Sequence, residues 1–302
     1  LFFFRVTSDT GIQVLHEEQR EESVSCIARC KNLVASGWVD GVIRVHLVDG
    51  NQVVSLGELE GIAGEVMWLE WRDEETLAAG GEDGSVWLWS ISSEPDCSYV
   101  SHVFSGNGHK SMCGAFTSDK EALVAGDDNG SLSIYSVTQN TVLRRLAIPF
   151  ADSATTIVTH PTLKTFLVGC LSGAVYMCQM SAPSVPSLIR LGHQGSIECI
   201  IIPSPSIFIV GSMDGTLNIV DCQSMSVRHK ISFDDGICSM AMAGSTVIVG
   251  CSDGQIKTVN VRNGEVVNCY SSNGAPILDI QAFVGGFVVG SAGGSVSLYP
   301  VE

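Results

Sequence analysis

The sequence predicts an all-β propeller, and three observations carry that reading: an internal repeat, a turn signal inside each copy, and no segment of helical period. Seven copies of one string align: SGWVDG (36–41), AGGEDG (79–84), AGDDNG (125–130), VGCLSG (168–173), VGSMDG (210–215), VGCSDG (249–254) and VGSAGG (289–294). Their leading glycines, Gly37, Gly80, Gly126, Gly169, Gly211, Gly250 and Gly290, are spaced 43, 46, 43, 42, 39 and 40 residues apart. A period near 40 with strand patterning indicates blades of four strands each.

Each copy sits between two strands. An apolar run precedes it (LVAS, TLAA, ALVA, TFLV, IFIV, VIVG, FVVG), and an alternating run follows (VIRVHL, SVWLWS, SLSIYS, AVYMCQ, TLNIVD, QIKTVN, SVSLYP). Asp40, Asp83, Asn129, Asp214 and Asp253 stand immediately before the second glycine, with Ser172 and Gly293 in the same place elsewhere. Asx-Gly between such runs signals a hairpin, with positive φ expected at both turn residues. An outer strand then follows, clearest in NQVVSL (51–56), NTVLRRL (140–146), MSVRHKI (225–231) and GEVVNCY (264–270). The next inner strand comes after it, as in EVMWLEW, SIECIII, GICSMAM and PILDIQA.

The N-terminal stretch FFFRVTSDTGIQVLHEE has the strand–turn–strand form that ends a blade, with no inner strands before it. The last repeat, ILDIQAFVGGFVVGSAGGSVSLYPVE, supplies three strands. Two closures are open: seven blades with IQVLHE completing the last, or eight blades with residues 1–22 as the end of a shortened first one. An unpaired strand edge is a liability, and residue 1 is Leu; both favour a sequence that begins inside a longer protein. One propeller domain over 1–302 is expected.

Composition narrows the function. Hydrophobic residues make up 45% of the chain, ample for a core, and no run reaches the ~20 apolar residues of a membrane helix. The eleven cysteines are scattered through apolar runs, without CxxC or zinc-type spacing. Cys26 and Cys30 are separated by about 13 Å of strand, too far to share a metal. Buried, reduced thiols and a cytoplasmic location, with the nucleus open as a second compartment, are therefore expected. The formal net charge is −16; residues 1–100 hold 18 Asp+Glu against 6 Lys+Arg, leaving 14 against 10 for the rest. Such a field repels nucleic acid and anionic membrane and attracts basic partners.

Catalytic motifs are missing from the sequence: it holds no GxSxG, no HExxH and no phosphate-binding glycine loop. AGDDNG lacks the alternating carboxylates and closing Glu of a calcium loop. No catalytic residue, metal or cofactor is expected. His109 and His193, each after a glycine, are expected to brace their own blades. Asn129-Gly-Ser has the form of a glycosylation sequon but lies in a tight hairpin. Trp68, Trp71, Trp87 and Trp89 are expected to pack between sheets, whereas Trp38, inside a turn motif, is a candidate binding anchor.

The candidate site is a set of carboxylates. Turns between second and third strands should open on the same rim as the connections between blades, which places Asp40, Glu82, Asp83, Asp127, Asp128, Asp214 and Asp253 there. Glu17, Glu18, Glu21, Glu22, Glu58, Glu60, Asp234 and Asp235 should approach from the connections. An acid-lined rim would grip Arg and Lys by charge-assisted hydrogen bonds. Each exposed pair contributes only about 0–1 kcal/mol, so many must act together.

These motifs resemble the WD-repeat proteins, although the Trp-Asp dipeptide has eroded to forms such as Val220-Asp221. EVMWLEW, AGGEDGSVWLW, CGAFTSDKEALVAGDDNGSLSIYS, GSMDGTLNIVDCQSMSVRH, GCSDGQIKTVNVRNGEVV and PILDIQAF are together similar to the angio-associated migratory cell protein family, whose fungal counterpart is a dedicated chaperone of a large-subunit ribosomal protein. The resemblance implies eight blades, the first incomplete here, and an acidic face holding the basic segment of a newly made ribosomal protein. A monomeric, non-enzymatic chaperone in ribosome biogenesis is the resulting expectation; a multi-partner scaffold in signalling, cell migration or ubiquitin ligation is the alternative.

Overall fold

A computed structural model describes residues 2–7, 11–17, 23–50, 52–91, 99–106, 108–181, 185–272, 274–283 and 285–300. Glu18, Glu21, Glu22 and Cys97 lie outside the described residues, as does the side chain of Glu17. The chain groups into two compact units, Leu1–Ala154 and Thr155–Glu302.

The first unit holds three four-stranded antiparallel blades. Blade 1 is Val24–Cys30, Leu33–Trp38, Ile43–Asp49 and Gln52–Leu59; blade 2 is Val66–Asp73, Thr76–Gly81, Val86–Ile91 and Tyr99–Phe104; blade 3 is Ser111–Phe116, Ala122–Asp127, Ser131–Ser136 and Thr141–Ala147. The second unit begins within the first strand of blade 4: Ala154–Thr159, Thr165–Cys170, Val175–Gln179 and Ser187–Ile189. Blade 5 is Ile197–Ser204, Ile207–Ser212, Thr216–Asp221 and Val227–Ser232; blade 6 is Ile237–Ala243, Thr246–Cys251, Gln255–Asn260 and Val266–Ser271; blade 7 has three strands, Ile277–Phe283, Gly286–Ser291 and Val296–Pro300.

The all-β propeller expected from the repeat is present, but with seven blades rather than eight. The eight-blade reading required residues 1–22 to be the outer half of an incomplete first blade. Phe2–Thr7 and Gly11–Glu17 do pair with each other, but as a separate two-stranded sheet beside seven sheets of three or four strands. The first blade begins at Val24.

Burial explains the apolar runs. The second strands of blades 2 and 3 are buried at every position, while outer strands such as Thr141–Ala147 alternate or lie exposed. A strand covered on both faces needs continuous hydrophobicity. The cores lie between neighbouring blades: Leu77, Ala79 and Trp89 of blade 2 pack with Ile43 and Val45 of blade 1, and Phe208 and Val210 of blade 5 pack with Leu167 and Val175 of blade 4.

The leading glycines have a packing role. Register shifts recur two residues into the inner strand, at Val24/Cys26, Val66/Trp68, Ser111/Cys113, Ile197/Cys199, Ile237/Ser239 and Ile277/Asp279. Each bulge sets the leading glycine opposite the residue after it. In several blades the next blade's first core side chain then packs over that glycine: a β-carbon on Gly37 would lie 2.6 Å from Val66 Cγ1, and one on Gly211 2.8 Å from Ile237 Cγ2. Ser25 Oγ ties the same junction by donating to the Val66 carbonyl at 2.6 Å.

The hairpin turns differ from expectation in one respect. Only the second glycine takes positive φ, from 73° at Gly130 to 88° at Gly173, while Asp40, Asp83, Asn129, Asp214 and Asp253 keep negative φ. Each turn closes through a bond from the glycine amide to the carbonyl three residues back, as from Gly41 to Trp38 and Gly215 to Ser212. This is a type I turn ending in a left-handed glycine, so the acid before it needs no positive φ.

Candidate protein-binding surface

Turns and connectors share one end of the blade, as the strand order requires. The amides of Val39, Glu82, Asp128, Met213, Ser252 and Ala292 donate to Ser23, Glu65, Lys110, Ser196, Gly236 and Pro276, each just before the inner strand of the same blade. The expected acids therefore lie at connector ends, but several of their carboxylates are engaged with their own turns. Asp40 Oδ1 accepts from Val42 N at 3.0 Å, and Asp253 Oδ1 from Gln255 N at 2.9 Å. Asp83 Oδ1 accepts from the amide and hydroxyl of Ser85, and its Oδ2 from the connector amide of Ala63 at 3.1 Å. Asp127 is buried and accepts from Asn129 N and Ser131 N. This is the turn chemistry of an Asx residue rather than a calcium loop.

In the first unit, cations temper the acids. Arg44, almost wholly buried, reaches Glu58 Oε1 at 2.9 Å and Asp40 Oδ2 at 3.8 Å. Its guanidinium lies 4.5 Å from the Trp38 ring centroid, a cation–π contact. Trp38 itself is 1% exposed and donates its indole N–H to Ser36 Oγ. It is a core residue at the end of a strand, not a presented anchor. Lys110 Nζ bonds Glu82 Oε1 at 2.7 Å; together with the Glu65 amide it holds the Glu82 carboxyl below its ordinary range. His109 Nδ1 lies 3.2 Å from Asp128 Oδ1.

In the second unit, one acid is the end of a relay. Asn218 Nδ2 faces His193 Nε2 at 2.9 Å, His193 Nδ1 faces Thr216 Oγ1 at 2.6 Å, and Thr216 Oγ1 donates to Asp214 Oδ1 at 2.5 Å. Thr216 has one proton and gives it to Asp214, so it accepts from His193 Nδ1–H; His193 Nε2 then accepts from Asn218. The relay closes only with neutral histidine, and burial indeed pushes the His193 pKa down against the pull of Asp214. Partial desolvation of Asp214 opposes its ionisation, but bonds from Thr216 Oγ1, Gln194 N, Thr216 N and Ser212 outweigh it and hold the pKa at about 2. His193 therefore ties its connector to blade 5, bracing its own blade as expected.

The other tryptophans pack as expected: Trp68 donates to Ser111 Oγ, Trp71 to the Ala28 carbonyl, and Trp87 stacks on Trp89 at 5.5 Å. Burial raises the thiol pKa of Cys26, Cys113 and Cys251 to about 12, which keeps them protonated and inert. Charge patterning does not reveal four exposed apolar side chains at the connector ends: Phe150 at 99% exposure, Leu171 at 61%, and Val39 and Met213 at 40% each.

Fold and turns together define a seven-bladed β-propeller, and residues 186–221, from the outer strand of blade 4 through the third strand of blade 5, match the WD domain, G-beta repeat family. Over its length the chain is similar to the angio-associated migratory cell protein of Pongo abelii, with 27% identity across 86% of this chain and 63% of that protein. It is also similar to the ribosome assembly protein SQT1 of Saccharomyces cerevisiae, at 20% identity across 81% of this chain and 64% of that one. The chain thus spans just under two thirds of the length of these relatives. Among solved structures, Chaetomium thermophilum Sqt1 bound to the N-terminus of the ribosomal protein L10 superposes with a TM-score of 0.83, at 19% identity, covering 96% of this chain and 87% of that one. That likeness is one of fold.

Proposed function

We propose that this chain is a non-enzymatic, cytoplasmic chaperone whose acidic connector ends hold the basic segment of a newly made large-subunit ribosomal protein. The observation that carries the reading is the concentration of carboxylates where turns meet connectors, on a fold shared with a protein solved with a ribosomal protein's N-terminus. Capture of this kind masks Lys and Arg from RNA until assembly, and each contact is weak, so affinity is the sum of several. The alternative is a multi-partner scaffold, whose binding would not depend on the charge of the connector ends.

The test is calorimetric titration of an Arg/Lys-rich peptide at about 50 mM and about 500 mM salt. Binding should weaken strongly at the higher salt, and Asp128→Asn and Asp253→Asn, which keep an acceptor oxygen, should flatten the dependence. Equal affinity at both salts overturns electrostatic capture. A scaffold would keep its partners in the doubly neutralised variant; a chaperone of a basic segment would lose its client.

A further inference from the structure

The residue that opens the hairpin turn occupies the same place in every blade. In the second unit it is Leu171, Met213, Ser252 and Ala292; in the first it is Val39, Glu82 and Asp128. Blades 4 and 5 thus present large apolar side chains on neighbouring turns, where blades 2 and 3 present acids and blade 1 a single Val39, 40% exposed. Leu171 is 61% and Met213 40% exposed.

They lie on one continuous edge. The turn of blade 4 rests on connector 193–195, since a β-carbon on Gly173 would lie 2.7 Å from the Gly195 carbonyl. Connector 193–195 rests on the turn of blade 5, because one on Gly195 would lie 2.6 Å from Asp214 N. Met213 in turn reaches over the next connector, its Cε 2.9 Å from where a Gly236 β-carbon would be. Four carboxylates flank this step: Asp214, Asp253, and the exposed Asp234 and Asp235. Segments 170–173, 193–195, 213–215, 233–236 and 252–254 contain no Lys or Arg. Lys257 stands behind them, buried over the Phe233 ring at 4.7 Å.

We infer that Leu171 and Met213 form an apolar docking step for a partner segment in which aliphatic side chains are interspersed with Lys and Arg. The occupant follows from the charge: an uncharged apolar segment would cover four carboxylates without offering any of them a cation, and a purely basic one would leave both apolar side chains uncovered. The inference rests on the basic-client reading and adds what else the client must carry. Apolar contact is not screened by salt, whereas the exposed ion pairs are; the step supplies the part of the affinity that survives at high salt.

The experiment uses the full chain and two synthetic peptides of equal charge, one with Leu residues among its Arg and Lys, the other with each Leu replaced by Ser. Leu171→Ser alone, and Leu171→Ser with Met213→Ser, are compared with wild type by calorimetry at two salt concentrations, with melting curves to verify folding. The wild type should bind the Leu peptide about tenfold more tightly than the Ser peptide. The double variant should lose that preference at both salts while its salt slope stays unchanged, and the single variant should fall between. Equal wild-type affinity for both peptides overturns the apolar step but leaves basic capture standing. Failure of both peptides to bind overturns both readings. Concentration-dependent self-association that disappears in Leu171→Ser would assign the step to a second copy of this chain and overturn the proposed occupant.

Discussion

The Cγ2 methyl of Ile277 lies 2.4 Å from the point a β-carbon on Gly250 would occupy. Gly250 is not left-handed; it is glycine because the next blade's inner strand begins on top of it. Gly250→Ala should therefore force the two sheets apart and destabilise the chain by roughly 1–3 kcal/mol, as overpacking does. Gly290 holds the same repeat position, yet among the described residues no heavy atom stands within 4 Å of where its β-carbon would be. Gly290→Ala should be close to neutral. Chemical denaturation of both variants checks the contrast, and equal losses would show that backbone freedom, not space, selects the leading glycine.

The relay from Asn218 through His193 and Thr216 to Asp214 has a pH signature. The His193 pKa is depressed by burial, so folding favours the neutral ring; its contribution is fully present above the unfolded value near 6.5 and is lost as pH falls through the lower folded value. Asp214, at about 2 against an ordinary 3.8, contributes above about 4 and loses that contribution as pH falls toward 2. Melting temperature should thus decline in two stages below pH ~6.5. His193→Gln should remove the upper stage and Asp214→Asn should flatten the lower one. A melting temperature constant from pH 7 to the onset of carboxylate titration would rule out the neutral-histidine relay.

The repeat, the four-strand blades and the glycine turns are legible in the sequence because each depends on local chemistry: Gly41 or Gly215 at positive φ follows from the turn alone. What is not legible depends on distant partners. Trp38 reads as a turn residue, but it closes a strand and lies under Arg44, whose charge is fixed by Glu58 fourteen residues away. The blade count turns on whether residues 2–17 join a larger sheet, which strand patterning does not specify. At the candidate surface, acid positions are visible, but their neutralisation is not: Lys110 meets Glu82 across 28 residues. Leu171 and Met213 carry no sequence signal of their own, because single exposed apolar residues are common and only their adjacency in space sets them apart.

Phe150 carries backbone strain without visible packing return. It has φ 65° and ψ 17°, Ala151 follows at φ 52°, and the ring is 99% exposed. Left-handed backbone costs an ordinary L-residue roughly 1–2 kcal/mol, and Asn tolerates it better. Phe150→Asn should therefore leave the fold intact and raise stability by about 0.5–1 kcal/mol. A lower melting temperature would mean that the ring supports the connector after all.

Lys110 offers a gain of binding rather than a loss. Its ammonium occupies Glu82 Oε1 at 2.7 Å, and both side chains are largely exposed, so the pair adds little to stability. If the connector ends capture a basic segment, Lys110 competes with the client for Glu82. Lys110→Ala should free that carboxylate and remove one repulsive charge, tightening binding of an Arg/Lys-rich peptide roughly two- to fivefold at low salt. The gain should vanish near 500 mM salt, where the Debye length is only about 4 Å. Titrations on Lys110→Ala, Glu82→Gln and the double variant close the cycle: in the Glu82→Gln background the lysine substitution should gain less, because the freed partner is gone. Unchanged affinity in Lys110→Ala would place the client's basic residues away from blades 2 and 3.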